Sequence, residues 1–182
     1  MFETILNIDL EILNYIQSSI GNTAIDKLMV FMTMLGNKGI IWIAISLFLI
    51  INKKTRKVGI MAITVFIITG ILGEGLIKPL VKRARPFVNY PSFNLIIKAP
   101  LTYSFPSGHT ALSFAVASIL LKEFKKYGVI FLILAILIAF SRVYLFVHYP
   151  SDVIVGIIMG VMCAWITSKI FNKKENFKDS ID

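Results

Sequence analysis

The chain has 182 residues, 57% of them hydrophobic and 16% charged, with 19 Lys and Arg against 10 Asp and Glu; its mean hydropathy is +0.79. Such a chain would expose too much apolar surface to persist as a soluble globule, so it is read as an integral membrane protein. The net charge of +9 does not point to nucleic acid, because most of the cations flank apolar runs and no basic soluble domain is present.

At ~20 residues per crossing there is room for one bundle of about five or six spans and little else. The expected fold is all-α, an integral membrane bundle of about six transmembrane helices. Residues 1–182 form one membrane-embedded domain: an amphipathic N-terminal helix over 1–24, a core over 58–171 and a cytoplasmic tail over 172–182. The first nine residues carry Glu3 and Asp9 and no Lys or Arg, so a secretory signal with a basic start is not expected. Phe2, Ile5, Leu6, Ile8, Leu10, Ile12, Leu13 and Ile16 mix with Glu3, Asn7, Asp9, Glu11 and Asn14. That pattern predicts a helix at the interface or leading into the first span.

Residues 25–35 form a short apolar candidate whose full crossing is left open. Gly36-Asn37-Lys38-Gly39 reads as a turn, and 40–51 as a span. Residues 58–81, 129–147 and 152–171 each approach the ~20 residues a bilayer core requires. Residues 107–121 are shorter, but Lys122, Lys125 and Lys126 can snorkel and extend them. The polar tail from Asn172 to Asp182 is expected to fray. The single cysteine, Cys163, reads as a small buried hydrophobe, and a disulfide within the chain is excluded.

Lys53, Lys54, Arg56 and Lys57, then Lys122, Lys125 and Lys126, then Lys173, Lys174 and Lys178 fall on one side if the intervening spans are hairpins; the positive-inside bias makes that side cytoplasmic. Loops 82–106 and 147–151 are then external. Lys82, Arg83, Arg85 and Lys98 oppose the bias there, and phosphate binding would be a reason.

Three polar clusters fall on that external side. In the first, Lys78 and Arg85 are seven residues apart and share a helical face if the helix persists. Pro79 could kink it and Pro86 could end it. Against a functional reading, Glu74 could simply satisfy Lys78, and Lys82 and Arg85 could snorkel. In the second, Pro106-Ser107-Gly108-His109 opens an apolar segment. Ser107 suits an N-cap, Gly108 allows close approach, and the free amides at the dipole's positive end suit a phosphate. His109 could give a proton to a leaving oxygen, or be merely interfacial. In the third, Ser141-Arg142 precedes His148, and Asp152 follows it by four residues. Asp152 could fix the His148 tautomer and leave Nε2 free to attack phosphorus, or simply favour a helix dipole. Arg142 offers a planar fork for phosphate oxygens.

Lys78 through Arg85-Pro86, Pro106-Ser107-Gly108-His109, and Ser141-Arg142 with His148 and Asp152 together resemble the signature of the type 2 phosphatidic acid phosphatase superfamily. The resemblance spans about residues 58–171. It implies a helical bundle in which His148 is the nucleophile, Asp152 its partner and His109 the general acid, with Lys78, Arg85, Ser107, Gly108 and Arg142 binding the phosphoryl group. It implies a lipid phosphate in the bilayer as substrate, a phosphohistidine intermediate and hydrolysis without a metal. No other cofactor is expected, and no cluster of metal-ligand spacing is seen. The aromatics Phe87, Tyr90, Phe93, Tyr103 and Phe105 would form an interfacial lip or anchor the loop in the membrane.

Relatives similar in size act on undecaprenyl diphosphate, phosphatidylglycerophosphate or phosphatidic acid. A compact bundle with an external site resembles the recycling enzymes of wall synthesis, which makes undecaprenyl diphosphate the expected substrate. A non-catalytic lipid-phosphate binder or flippase would keep the cations and the apolar bundle. It would not need His148, His109 and Asp152 together. The oligomeric state is left open.

Overall fold

The computed structural model describes residues 2–90 and 93–178. All of the regular structure among them is helical. Helix α1 (Phe2–Ile20) buries Asp9, Leu13 and Ile16 on one stripe and exposes Ile5, Ile8, Ile12 and Tyr15 on another. Its apolar residues therefore face two ways, toward the bundle and away from it. A buried aspartate on such a stripe needs a partner, and the partner belongs to the polar centre described below.

Six further helices of 12 residues or more make the bundle with α1. α2 (Thr23–Gly36) is capped by Asn22, whose Oδ1 accepts the Ala24 and Ile25 amides at 3.0 Å. A turn over Asn37–Gly39, with positive φ at Lys38 (52°) and Gly39 (67°), leads into α3 (Ile40–Ile51). At 14 and 12 residues, α2 and α3 are each shorter than the ~20 residues of a full crossing. Among the described residues three stretches suffice, by length and composition, to cross a membrane: Thr23–Ile51, which includes this kink, Arg56–Asn89 and Pro150–Lys173.

α4 (Arg56–Gly70) runs into a π-helical segment (Ile71–Ile77) and then α5 (Lys78–Val81). The Lys78 amide bonds the Gly73 carbonyl, five residues back. Pro79 supplies the cause: its ring crowds the preceding turn and its nitrogen donates nothing, so the helix widens ahead of it. The helix stops at Lys82, whose φ is 50°. Pro86 then opens a new turn, α6 (Pro86–Asn89). The expected continuous face from Lys78 to Arg85, closed by Pro86, is therefore not what unites those two residues; a loop does so.

α7 (Gly108–Phe124), α8 (Gly128–Tyr144) and α9 (Pro150–Lys178) complete the bundle. α9 continues to Lys178, so the predicted fraying from Asn172 does not hold that far; residues 179–182 lie outside the described residues. α7 is buried on most of its surface and packs against α4, α8 and α9. Ala111 and Ala115 on α7 meet Gly156 and Gly160 on α9, a small-residue contact that lets two backbones approach. A Cβ at Gly160 would collide with the Ala111 carbonyl and lie 2.9 Å from the Ala115 amide nitrogen. This approach sets the start of α7 beside the start of α9, where the Ser107 amide donates to the Asp152 carbonyl at 3.1 Å. Trp42 ties α3 to the same central helix through Nε1–H and Ser113 Oγ, at 2.8 Å.

Candidate active site

The end of α5, the start of α7 and the loop between α8 and α9 converge at one end of the bundle. A cavity of about 860 Å³ opens there, lined by Glu74, Lys78, Arg85, Gly108, His109, Arg142 and His148 among others. Six of the eight signature positions thus share one space. Ser107 and Asp152 are fully buried and stand behind its wall.

His148 sits just after α8, on a loop folded back over its own helix. The Arg142 carbonyl accepts the Val147 and His148 amides, each at 3.2 Å, and Phe146 takes positive φ (58°). Phe93 stacks on Phe146 with centroids 4.2 Å apart, and Tyr90 meets it edge-on at 6.3 Å. Two of the aromatics expected at an interfacial lip therefore brace the histidine loop.

Arg85 Nη1 lies 3.1 Å from His148 Nε2. A guanidinium can only donate, so Nε2 is the acceptor and the proton of the neutral ring is on Nδ1. On that side Ser104 Oγ is 3.4 Å away and Asp152 Oδ2 3.5 Å away. Ser104 in turn donates to Asp152 Oδ2 at 2.5 Å. The expected pairing of His148 with Asp152 thus has a hydroxyl beside it, giving a chain from Nδ1–H to Ser104 to carboxylate. Burial first, then Arg85, Arg142 and Lys78, holds the imidazole neutral well below the usual histidine range.

Asp152 also caps its own helix, since Oδ2 accepts the Tyr149 amide at 3.0 Å. The dipole reading and the histidine-partner reading are therefore compatible. Its other oxygen, Oδ1, accepts Arg83 Nη1 at 2.5 Å. Arg83 continues to Asp9 Oδ2 at 2.8 Å and to Ser151 Oγ at 2.8 Å, and lies 3.9 Å over the Tyr149 ring. Asp9 also accepts the Ser151 amide at 2.8 Å. The buried charge on α1 is thereby satisfied.

The cations around the cavity differ in how far their donors are engaged: Arg85 has an acceptor for each of its five N–H groups, whereas Arg142 keeps one open among the described residues. Arg85 is 4% exposed, so it does not snorkel. It bonds the carbonyls of Thr102, Tyr103 and Val147. Arg142 Nη1 donates to Thr33 Oγ1, while its buried Nε has no partner among the described residues. A buried donor left open in a cavity fits an incoming anion. Lys78 Nζ bonds Glu74 Oε1 at 2.6 Å; the intramembrane pair forms, yet both side chains still line the cavity. Gly108 packs directly beneath Glu74, whose Oε1 would clash with a Cβ there. Ser107 holds the N-cap position, but its Oγ turns to Thr110 Oγ1, 2.9 Å away. Its amide is engaged by Asp152, which leaves the following amides of the first turn to face a ligand.

His109, in that first turn, contacts Asn37 Oδ1 through Nε2 at 3.1 Å. Sequence reasoning gave Ser104, Asp9, Thr33 and Asn37 no part in the site, and it singled out Arg83 only as an external cation that phosphate binding would explain, whereas Arg83 bonds Asp152 and Asp9. Asp9 left one trace, a charge in register with buried Leu13 and Ile16. Among the described residues no group of three His, Cys, Asp or Glu side chains could hold a metal ion.

The arrangement offers a neutral imidazole, a second imidazole nearby and three cations in one cavity, a set suited to phosphoryl transfer. Comparison with known proteins agrees. The PAP2 superfamily model matches residues 57–176. An undecaprenyl-diphosphatase of Sulfolobus acidocaldarius is 34% identical over 90% of this chain and 78% of its own length. The undecaprenyl-diphosphatase BcrC of Bacillus subtilis is 28% identical over 88% of this chain and 82% of its own. Among solved structures, a transmembrane PAP2-type phosphatidylglycerolphosphate phosphatase from Bacillus subtilis superposes with a TM-score of 0.77 and 26% identity, covering 93% of this chain and 87% of that one. The polar centre, the helices that carry it and these likenesses place the chain in the PAP2 superfamily, as a multi-pass membrane lipid phosphatase.

Proposed function

We propose that the protein removes the terminal phosphate of undecaprenyl diphosphate through a phosphohistidine on Nε2 of His148. The tail stays in the bilayer while Lys78, Arg85, Arg142 and the amides after Ser107, with Gly108 allowing close approach, hold the terminal phosphoryl group. Nε2 attacks phosphorus in line, the bond to the bridging oxygen breaks, and His109 protonates that oxygen. Asp152 stabilises the positive charge that the ring gains. Water, deprotonated by His109, then attacks phosphorus, returns the imidazole and releases inorganic phosphate.

The observation that carries the mechanism is Arg85 Nη1 at 3.1 Å from His148 Nε2, because a phosphate-binding cation then adjoins the attacking atom. The substrate reading is supported by the 34% identity with the Sulfolobus acidocaldarius undecaprenyl-diphosphatase. A phosphatidylglycerophosphate is the second reading, favoured by the fold of the Bacillus subtilis structure.

The deciding measurement is phosphate release in detergent from a panel of lipid phosphates and diphosphates. The diphosphate should be the preferred substrate, and His148→Ala should lose at least roughly 10³-fold in turnover while still binding it. Unchanged release by that variant overturns the mechanism; preference for a monophosphate overturns the substrate. The reading also puts the site on the external face. In a variant lacking Cys163, an impermeant thiol label on intact cells should mark a cysteine at Asn94 and not one at Lys125.

A further inference from the structure

The cavity is larger than one phosphoryl group needs, and the signature cations occupy only part of its wall. Two more lysines line it, Lys38 and Lys98. Both are exposed, and neither forms an ion pair among the described residues. Lys98 lies in the loop between α6 and α7. Lys38 lies in the turn between α2 and α3 at φ 52°. A lysine rarely adopts that backbone conformation, and such strain persists where the surroundings or a function require it.

The position of Lys38 relates it to the leaving group. Its neighbour Asn37 accepts, through Oδ1, a hydrogen bond from His109 Nε2–H at 3.1 Å. In an in-line displacement the departing oxygen is opposite Nε2 of His148, at the group that protonates it. In a monoester that oxygen leads to carbon; in a diphosphate it leads to a second phosphorus. The turn carrying Lys38 therefore borders the space where a second phosphate would sit, and Lys98 lines the same cavity. Two compact ammonium groups on flexible stems suit a phosphate that changes charge as the bridge breaks.

Resting on the diphosphate reading above, we propose that Lys38 and Lys98 form a subsite for the second, lipid-proximal phosphate of a diphosphate. During the reaction the terminal phosphorus to bridging-oxygen bond breaks as the Nε2 to phosphorus bond forms. The proton from His109 goes to the bridging oxygen, and the lipid monophosphate stays briefly against the two lysines. A monophosphate held in the signature cradle leaves this subsite empty, so the two lysines select for the diphosphate.

The test uses the full chain in detergent with farnesyl diphosphate and farnesyl phosphate, and with inorganic pyrophosphate and orthophosphate as inhibitors. The variants are Lys38→Gly, which suits the positive φ, Lys98→Ala and their combination. In the double variant the ratio of kcat/KM for diphosphate over monophosphate should fall roughly tenfold or more, mainly through KM. The preference for pyrophosphate over orthophosphate as inhibitor should fall in parallel, with unchanged thermal unfolding. If both ratios stay at the wild-type value, the subsite is wrong. If the wild type prefers farnesyl phosphate but the inhibitor ratio still depends on the lysines, the subsite stands and the substrate reading fails.

Discussion

Arg83 Nη1 donates to Asp152 Oδ1 at 2.5 Å, on the side of the carboxylate turned away from His148. The same guanidinium holds Asp9 on α1, so one planar fork connects the first helix to the acid behind the proposed nucleophile. A carboxylate held from behind keeps its other oxygen aimed at Ser104 and the imidazole. Arg83→Ala leaves two buried carboxylates without their cation. It should destabilise the protein by about 3–5 kcal/mol and lower kcat more than it raises KM. Arg83→Lys supplies the charge but not the fork and should recover part of kcat. Asp9→Asn should repeat the kcat effect more weakly. An effect on KM alone would argue that Arg83 binds substrate directly.

The chemistry was legible along the chain where it is local, and illegible where folding creates it. His148 and Asp152 are four residues apart on one short stretch, and their pairing could be read from that spacing. Ser104 reaches Asp152 across 48 positions and Asp9 reaches Ser151 across 142, so no spacing encodes either contact. The approach of Lys78 to Arg85 had the right members and the wrong cause. A helical period was expected where Pro79 widens the helix and Lys82 ends it. The apolar runs marked the bundle well because burial in lipid demands continuous helices. They said little about α1, where apolar residues face both the bundle and its exterior.

His148 is buried among Arg85, Arg142 and Lys78, and its imidazole is held well below the ordinary value of 6.5. In the proposed mechanism the unprotonated ring is the reactive form, so its nucleophilicity should persist as pH falls through 6.5 and disappear only at lower pH. Nitrogen-15 spectra of histidine-labelled protein, assigned by loss of a signal in His148→Gln, report this titration without turnover. Arg85→Ala removes a nearby positive charge and should move the titration to higher pH. A wild-type midpoint at or above 6.5 would contradict the buried, cation-flanked ring.

Glu74 engages Lys78 at 2.6 Å while lining the same cavity, so an incoming phosphate must share or displace that carboxylate. Glu74→Gln frees the ammonium and removes a negative charge facing the anion. Orthovanadate should then inhibit several-fold more strongly, an effect on the order of 1 kcal/mol. Weaker inhibition would mean that Glu74 positions Lys78 for phosphate rather than competing for it.

In the proposed mechanism the fixed cations Lys78, Arg85 and Arg142, which line the cavity, supply positive charge at the transferring phosphoryl group, the part a divalent ion plays in many phosphoryl transfers. Activity should therefore survive excess chelator and be blocked by vanadate. Phosphate release measured after chelation and dialysis, with and without added Mg²⁺, decides the point; strict dependence on the ion contradicts it.

Ser104 and Asp152 can be separated by substitution because they stand in series. Ser104 Oγ is 3.4 Å from His148 Nδ1 and 2.5 Å from Asp152 Oδ2, and the carboxylate itself is only 3.5 Å from the ring nitrogen. With the hydroxyl gone, a small ring movement would let Nδ1–H reach the carboxylate directly, so Ser104→Ala should cost tenfold or less in kcat, on the order of 1 kcal/mol. Asp152→Asn removes the charge proposed to stabilise the imidazolium and can offer the ring a donor in place of an acceptor, for an expected loss of roughly 10³–10⁴-fold. Combining the two should cost little more than Asp152→Asn alone, since both act through one nitrogen. Fully multiplicative losses in the double variant would show instead that Ser104 acts on His148 independently of Asp152.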